Sequence, residues 1–191
     1  MILLMGVAGA GKSMQGRMLA DEHGYAWIST GEILRVLVTG KRRREMLEGK
    51  LLNDIEVVEL MDKVFELINT HEEFVLDGFP RTIPQADWLL RQVQKGRFEL
   101  TAVVNLVASK EAVLKRLTGR GRPDDTEEAI HERFEEYDAV TRPIIDHFRE
   151  EGVTVHEIDA NRSPRHVHDE IMELLDNPEP LEGAAVNAAQ E

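Results

Sequence analysis

The chain has 191 residues, 42% apolar and 31% charged, with no cysteine and a formal net charge of −13. That length and balance fit one soluble globular domain able to bury a core without covalent staples. The missing cysteines exclude disulfides, thiol catalysis and any Cys-built zinc site, and the acidic excess argues against broad binding to nucleic acid or anionic membrane.

In chain order, "MILLM" (1–5), "YAWIS" (25–29), "EFVLD" (73–77), "TAVVNLV" (101–107) and "VTVHEI" (153–158) have the length and boundaries of strands. No apolar run is long enough to span a bilayer. No basic segment precedes the first run, so a signal peptide is not expected and the expected location is the cytoplasm. Helical spacing lies between the strands. Over 54–70, Val57/Val58, Leu60/Met61, Val64/Phe65 and Leu67/Ile68 recur every three to four residues. A second long helix is predicted from near Thr126, with Ile130, Phe134, Tyr137, Ile144 and Phe148 along one side, and Asp125 with Glu128 resembles its capping box. Ser163-Pro164 reads as N-cap and first residue of a last helix.

This alternation predicts an α/β fold with a parallel sheet covered on both faces. The 43 residues between the second and third runs exceed a simple crossover, so 30–70 is expected to hold a helical insert standing off the sheet. The basic run "GKRRRE" at 40–45 reads as a solvated helix face. The segment 177–191, without aromatic or basic residues, reads as a disordered tail after a single domain over 1–176.

The first chemistry-bearing stretch is "GVAGAGKS", Gly6 to Ser13, with the spacing G-x-x-x-x-G-K-[ST] between a strand and a helix. Its glycines let backbone N–H groups converge on an anion at a helix N-terminus. Lys12 can follow the β- and γ-phosphates of a nucleotide, and Ser13 offers a hydroxyl near Mg²⁺. No guanine-reading N-K-x-D occurs, which removes a GTPase switch.

Two further stretches reach the same rim, because ligands in open parallel sheets bind at the carboxyl ends of the strands. "ISTGEILR" (28–35) brings Arg35, and "VLDGFPRTIPQADWL" (75–89) brings Arg81, two guanidinium forks suited to a second phosphate group. Asp77, ending the third strand, can hold water on Mg²⁺. "KRLTGRGRPDDTEEAIHERF" (115–134) carries Arg116, Arg120, Arg122 and Arg133, and its Gly119, Gly121 and Pro123-Asp124-Asp125 turn read as a mobile loop able to close arginines over a triphosphate. The seven histidines are scattered and read as non-catalytic.

"GVAGAGKSMQ", "ISTGEILR", "GKLLND", "LDGFPRTIPQA", "GRPDD" and "RFEEYDAVTRPII", taken in order, resemble adenylate kinase and its nucleoside-monophosphate kinase relatives from residue 1 to about 175. The resemblance implies a P-loop NTPase three-layer fold, with a five-stranded parallel sheet ordered 2-3-1-4-5. It further implies a monophosphate-binding insert at 30–70, a short lid at 117–126, and reversible transfer of the ATP γ-phosphoryl to a monophosphate with Mg²⁺. By the same resemblance Gly9, Ala10, Gly11, Lys12, Ser13, Met14, Arg116, Arg120 and Arg162 contact ATP. Thr30, Gly31, Arg35, Gly49, Leu51, Leu52, Gly78, Arg81 and Gln85 contact AMP, with Gln85 reading the adenine edge. Lys12, Arg81, Arg116, Arg122 and Arg133 surround the transferring phosphoryl, Asp124 and Asp125 stabilise the closed lid, and Ser13 and Asp77 hold Mg²⁺ largely through water.

AMP is favoured as acceptor on the family pattern of Thr30 and "FPRT" with Gln85; a UMP/CMP kinase, a kinase for a small hydroxylated metabolite and a nucleotide-binding regulator without turnover are the alternatives. Three features depart from that pattern. Ser13-Met14 stands where Gly-Thr is expected, the stretch from Arg35 to Gly49 is short and basic, and the lid is short and cannot be of the zinc-bearing type. The expected partners are small molecules only, acting on a monomer.

Overall fold

A computed structural model describes residues 1–48, 52–122 and 125–177. Its five strands are β1 (Ile2–Met5), β2 (Ala26–Ser29), β3 (Phe74–Asp77), β4 (Ala102–Val107) and β5 (Val155–Asp159), all parallel in one sheet ordered β2-β3-β1-β4-β5. The fold class and strand order are those expected from the sequence. β1 and β3 lie inside the sheet and are buried at every position, whereas β2 and β5 form the edges and leave some positions exposed.

The helices are α1 (Lys12–His23), α2 (Thr30–Leu37), α3 (Gly40–Leu47), α4 (Asp54–Leu67), α5 (Ile83–Gln94), α6 (Lys110–Arg120), α7 (Glu127–Glu136), α8 (Pro143–Glu150) and α9 (Pro164–Asp176). Side-chain caps start several of them. Asn53 accepts from the Ile55 N–H at 3.0 Å, Ser109 from Ala112 at 3.2 Å, and Ser163 from His166 at 3.4 Å ahead of Pro164, as the sequence predicts for α9.

Strand alternation divides the interior into two cores. Met1, Leu3 and Met5 face a cluster with Val57, Met61 and Phe65 of α4, Leu89 of α5 and Phe148 of α8. Ile2 and Leu4 face the opposite cluster with Leu19 of α1, Val113 and Leu117 of α6, Ile130 of α7 and Ile171 of α9. Each such fully buried side chain contributes about 1.5–3 kcal/mol of transfer free energy. Gln15, itself buried, donates to the Pro164 carbonyl at 2.9 Å and ties α1 to α9 across the second layer.

Four expectations are corrected. The helix from Asp54 stops at Leu67, with Ile68 extended. Asp125 does not cap α7; Thr126 does, accepting from the Ala129 N–H at 3.2 Å. Gly119 lies inside α6, and it is Gly121, at φ 66°, that ends the helix. The segment from Ile130 to Phe148 does not present one side. A π-helical turn (Tyr137–Thr141) followed by Pro143 redirects the chain, so Ile130, Phe134 and Tyr137 pack in the second core and Ile144 and Phe148 in the first. Between β2 and β3, α3 has no buried residue whereas α4 sinks three side chains into the first core. The disordered tail expected from Asn177 lies, beyond Asn177 itself, outside the described residues.

Candidate active site

The register aligns Ser29 of β2 with Asp77 of β3, and Asp77 with Leu4 of β1. The chain therefore leaves all three strands at one rim. After β1 the loop turns sharply enough that Gly6 sits at φ 129° with its α-carbon against β4; a Cβ there would come within 2.5 Å of the Leu106 carbonyl oxygen. At Gly9 (φ 87°) a Cβ would meet Val113 and Leu117 of α6 at 2.9 Å. Only glycine allows this path this close to its neighbours.

Lys12 curls back over the loop and donates from Nζ to the carbonyls of Gly6 at 2.6 Å and Val7 at 3.0 Å. Enclosure of the ammonium lowers its pKa to about 8, helped by the charges of Arg81 and Arg120 and opposed by Asp77. Ser13 Oγ donates to Asp77 Oδ2 at 2.6 Å, joining groups 64 residues apart. A hydroxyl beside a carboxylate suits a hard cation that completes its shell with phosphate oxygens and water. No group of three or more acidic or histidine side chains able to hold a metal alone occurs among the described residues.

The arginines arrive from three directions. Arg116, on α6, spans the Ala10 carbonyl (3.2 Å) and the Ala160 carbonyl (2.6 Å). Arg120 makes a two-pronged bond to Asp125 at 2.5 and 2.8 Å, while Arg133 from α7 reaches the same carboxylate at 3.3 Å. The Asp125 side chain is 2% exposed. It also accepts from the Arg122 N–H at 3.3 Å, so this one carboxylate gathers three arginine residues. Arg122 extends to Glu32 of α2 at 2.5 Å, and Arg35 sits 3.5 Å from the same Glu32 oxygen.

Arg81 is held by its backbone. Its N–H donates to Gln85 Oε1 at 2.8 Å, its carbonyl accepts from Thr141 Oγ in the π-helical turn at 3.0 Å, and its Nε donates to the Gly78 carbonyl at 3.1 Å. Burial lowers the pKa of its guanidinium, and Arg133 and Arg35 add to the effect. Thr30, buried at the start of α2, donates to Met61 Sδ at 3.4 Å.

These groups surround one cavity of about 660 Å³. Every expected site residue that the structure describes lines it, except Asp125, which stands behind the arginines. Gly49, Leu51 and Asp124 fall outside the described residues. The two ends of the cavity differ. Arg116, Arg162, Pro164 and Val167 line one, and Thr30, Leu34, Leu52, Val57 and Gln85 the other. None of the seven histidines is among the described lining residues; His147 and His168 instead bond Asp87 at 2.7 Å and Glu22 at 2.9 Å.

The sequence reading missed Glu32 and Asp54. Both stand inside quoted motifs, "ISTGEILR" and "GKLLND", but their partners lie far along the chain. The basic run also has a structural part to play: Arg43 donates to the Arg35 carbonyl at 2.7 Å, and Arg42 pairs with Glu56.

The family model described as "Adenylate kinase" matches residues 4–153. Curated relatives carrying the same name include one from Chloroherpeton thalassium, 31% identical over 91% of this chain and 97% of its own length. Another, from Nitrobacter hamburgensis, is 36% identical over 79% of this chain and 80% of its own. A third, from a Mycobacterium species, is 36% identical over 81% and 88%.

Proposed function

This chain belongs to the adenylate kinase family, and on that premise we propose that it reversibly transfers the γ-phosphoryl group of ATP to a nucleoside monophosphate, AMP in preference, giving two ADP. The observation that carries this reading is the convergence of Lys12, the Ser13–Asp77 pair and arginines from α2, α6, α7 and the segment between β3 and α5 on one two-ended cavity. The segment 30–70 is the acceptor-binding insert and 117–126 the lid.

Phosphoryl transfer needs positioning and positive charge more than covalent participation, because charge spreads over the equatorial oxygens as the group moves. Lys12, Arg81, Arg116, Arg122 and Arg133 supply that charge from fixed directions, and Arg120 adds to it from the donor side. Arg116 and Arg162 flank the end that takes the donor base. Arg35 and Arg81 grip the acceptor phosphate, and Gln85 faces the acceptor base. Ser13 and Asp77 would hold Mg²⁺, which supplies charge neutralisation between the phosphate oxygens when bound. Asp125 keeps the lid arginines from repelling one another before substrate arrives. The enzyme acts on these small molecules as a cytoplasmic monomer. No helix among the described residues is long and apolar enough to cross a membrane.

The test is an acceptor panel of AMP, CMP, UMP and GMP with ATP and Mg²⁺, followed by coupled detection of ADP. AMP should give the highest kcat/KM. Preference for a pyrimidine nucleotide would overturn the AMP assignment, and nucleotide binding without any ADP formation would overturn the kinase reading itself.

A further inference from the structure

Gln85 is 3% exposed yet lines the acceptor end of the cavity. A glutamine amide can face a ligand in either of two orientations, which differ by exchange of its oxygen and nitrogen. Here both ends are already engaged. Oε1 accepts the Arg81 N–H at 2.8 Å, and Nε2 donates to Asp54 Oδ1 at 2.8 Å. The same Asp54 oxygen also accepts from Thr82 Oγ at 2.8 Å, and Thr82 Oγ accepts the Gln85 N–H at 3.4 Å. Asp54 is the first residue of α4 and is not among the residues lining the cavity.

The chemistry of the two partners is one-directional. A backbone N–H can only donate and a carboxylate can only accept. Inverting the Gln85 amide would set its NH₂ against the Arg81 N–H and its oxygen against the Asp54 carboxylate. Both hydrogen bonds would become repulsions, and a buried polar group left unpaired is costly. The amide is therefore fixed in one sense. One lone pair on Oε1 and one hydrogen on Nε2 remain, side by side, as an acceptor next to a donor.

We infer that Asp54 is a positioning residue that sets the polarity of Gln85, and thereby makes the acceptor site select bases with an exocyclic amino group over bases with an oxo group. The inference rests on the reading of Gln85 as the residue that faces the acceptor base. An amino donor beside an unprotonated ring nitrogen, as in adenine (N6 and N1) or cytosine (N4 and N3), complements the fixed pair. An oxo group beside a ring N–H, as in hypoxanthine, guanine or uracil, opposes it at both atoms. A site that must bury mismatched hydrogen-bonding groups discriminates strongly, by contrast with one that merely lacks a contact. Purine is told from pyrimidine by cavity shape, a separate matter.

AMP and inosine monophosphate form the cleanest pair, because they differ only at these two positions of the ring. The measurement is kcat/KM for both acceptors in wild type, Asp54→Leu, Asp54→Ala and Gln85→Ala, with thermal unfolding recorded for each protein. Asp54→Leu is close to isosteric and, like alanine, offers Gln85 Nε2 no acceptor, so the test survives should the alanine variant be unstable. The AMP-to-inosine-monophosphate ratio should narrow at least tenfold in both Asp54 variants and fall towards unity in Gln85→Ala. A merely structural role for Asp54 would lower both acceptors together and leave the ratio unchanged, which overturns the inference. If Gln85→Ala also keeps the wild-type ratio, the assignment of Gln85 to the acceptor base fails. If Gln85→Ala collapses the ratio but neither Asp54 variant does, that assignment stands and the inference alone falls.

Discussion

The two ends of the cavity, donor and acceptor on the proposed reading, are made of different materials. The phosphate loop is shaped by backbone: Gly6 and Gly9 press against β4 and α6, and the loop's own carbonyls hold Lys12. The proposed acceptor end is shaped by side chains on α2 and α5 and on the segment that leads into α5. Thr30, Arg35, Arg81 and Gln85 take their positions from Met61, Glu32, Thr141 and Asp54, each distant from the loop. One end can therefore be altered only at the expense of the fold, whereas the other can be retuned residue by residue.

The largest test concerns the charge that both ends share. Lys12→Ala should lower kcat by about 10³-fold or more, and Arg122→Ala, which removes the contact from the lid to α2, by a similar order. Near-normal turnover in either variant, measured by coupled ADP formation, would show that the cavity's positive charge is not what accelerates transfer.

Next comes the contrast in materials. Gly6→Ala places a methyl 2.5 Å from a backbone oxygen at φ 129°, and should cost about 3 kcal/mol or more in urea unfolding. Arg35→Ala should leave stability within about 0.5 kcal/mol while raising KM for AMP by about 10- to 100-fold. Were Arg35→Ala the more destabilising of the two, the division between backbone-built and side-chain-built ends would be wrong.

A pH profile sharpens the donor end. With its pKa lowered to about 8, Lys12 loses its proton as pH rises through that value in the free enzyme. kcat/KM for ATP should then fall about tenfold per pH unit above the break, and Lys12→Arg should remove the break. Stability runs the opposite way. The unfolded chain keeps this proton up to the ordinary lysine value of 10.5. Unfolded protein thus binds more protons between about 8 and 10.5, and the nucleotide-free fold gains stability across that window relative to Lys12→Met. The smallest effect belongs to α3. Lys41, 81% exposed beside Glu45, should change stability by less than about 0.5 kcal/mol when replaced by alanine.

The central strands were legible because a sheet covered on both faces demands runs that are mostly apolar and buried, such as Ile2–Met5 and Ala102–Val107. The edge strands were legible by their short length between helical patterns. The loop was legible because its chemistry is contiguous. Asp125 was misread because D-x-x-E at a helix start is a local pattern. Its actual partners, Arg120 and Arg133, meet only when α6 and α7 are placed side by side. Ile130 to Phe148 misled for a related reason: periodicity reports spacing along a helix, and it is blind to which side of a sheet each half reaches. Glu32 and Asp54 went unnoticed because their significance lies in contacts 90 and 31 residues away.

The hydrogen bonds from Lys12 to the Gly6 and Val7 carbonyls have a consequence for how nucleotide affinity is read. A triphosphate entering the loop does not meet an idle ammonium; it competes with two carbonyl oxygens for one that is already coordinated. Binding is in that respect a ligand exchange at a nitrogen centre, and a measured dissociation constant is the difference between two coordination states. A substitution that weakens the carbonyl side alone would tighten ATP without adding any contact to it.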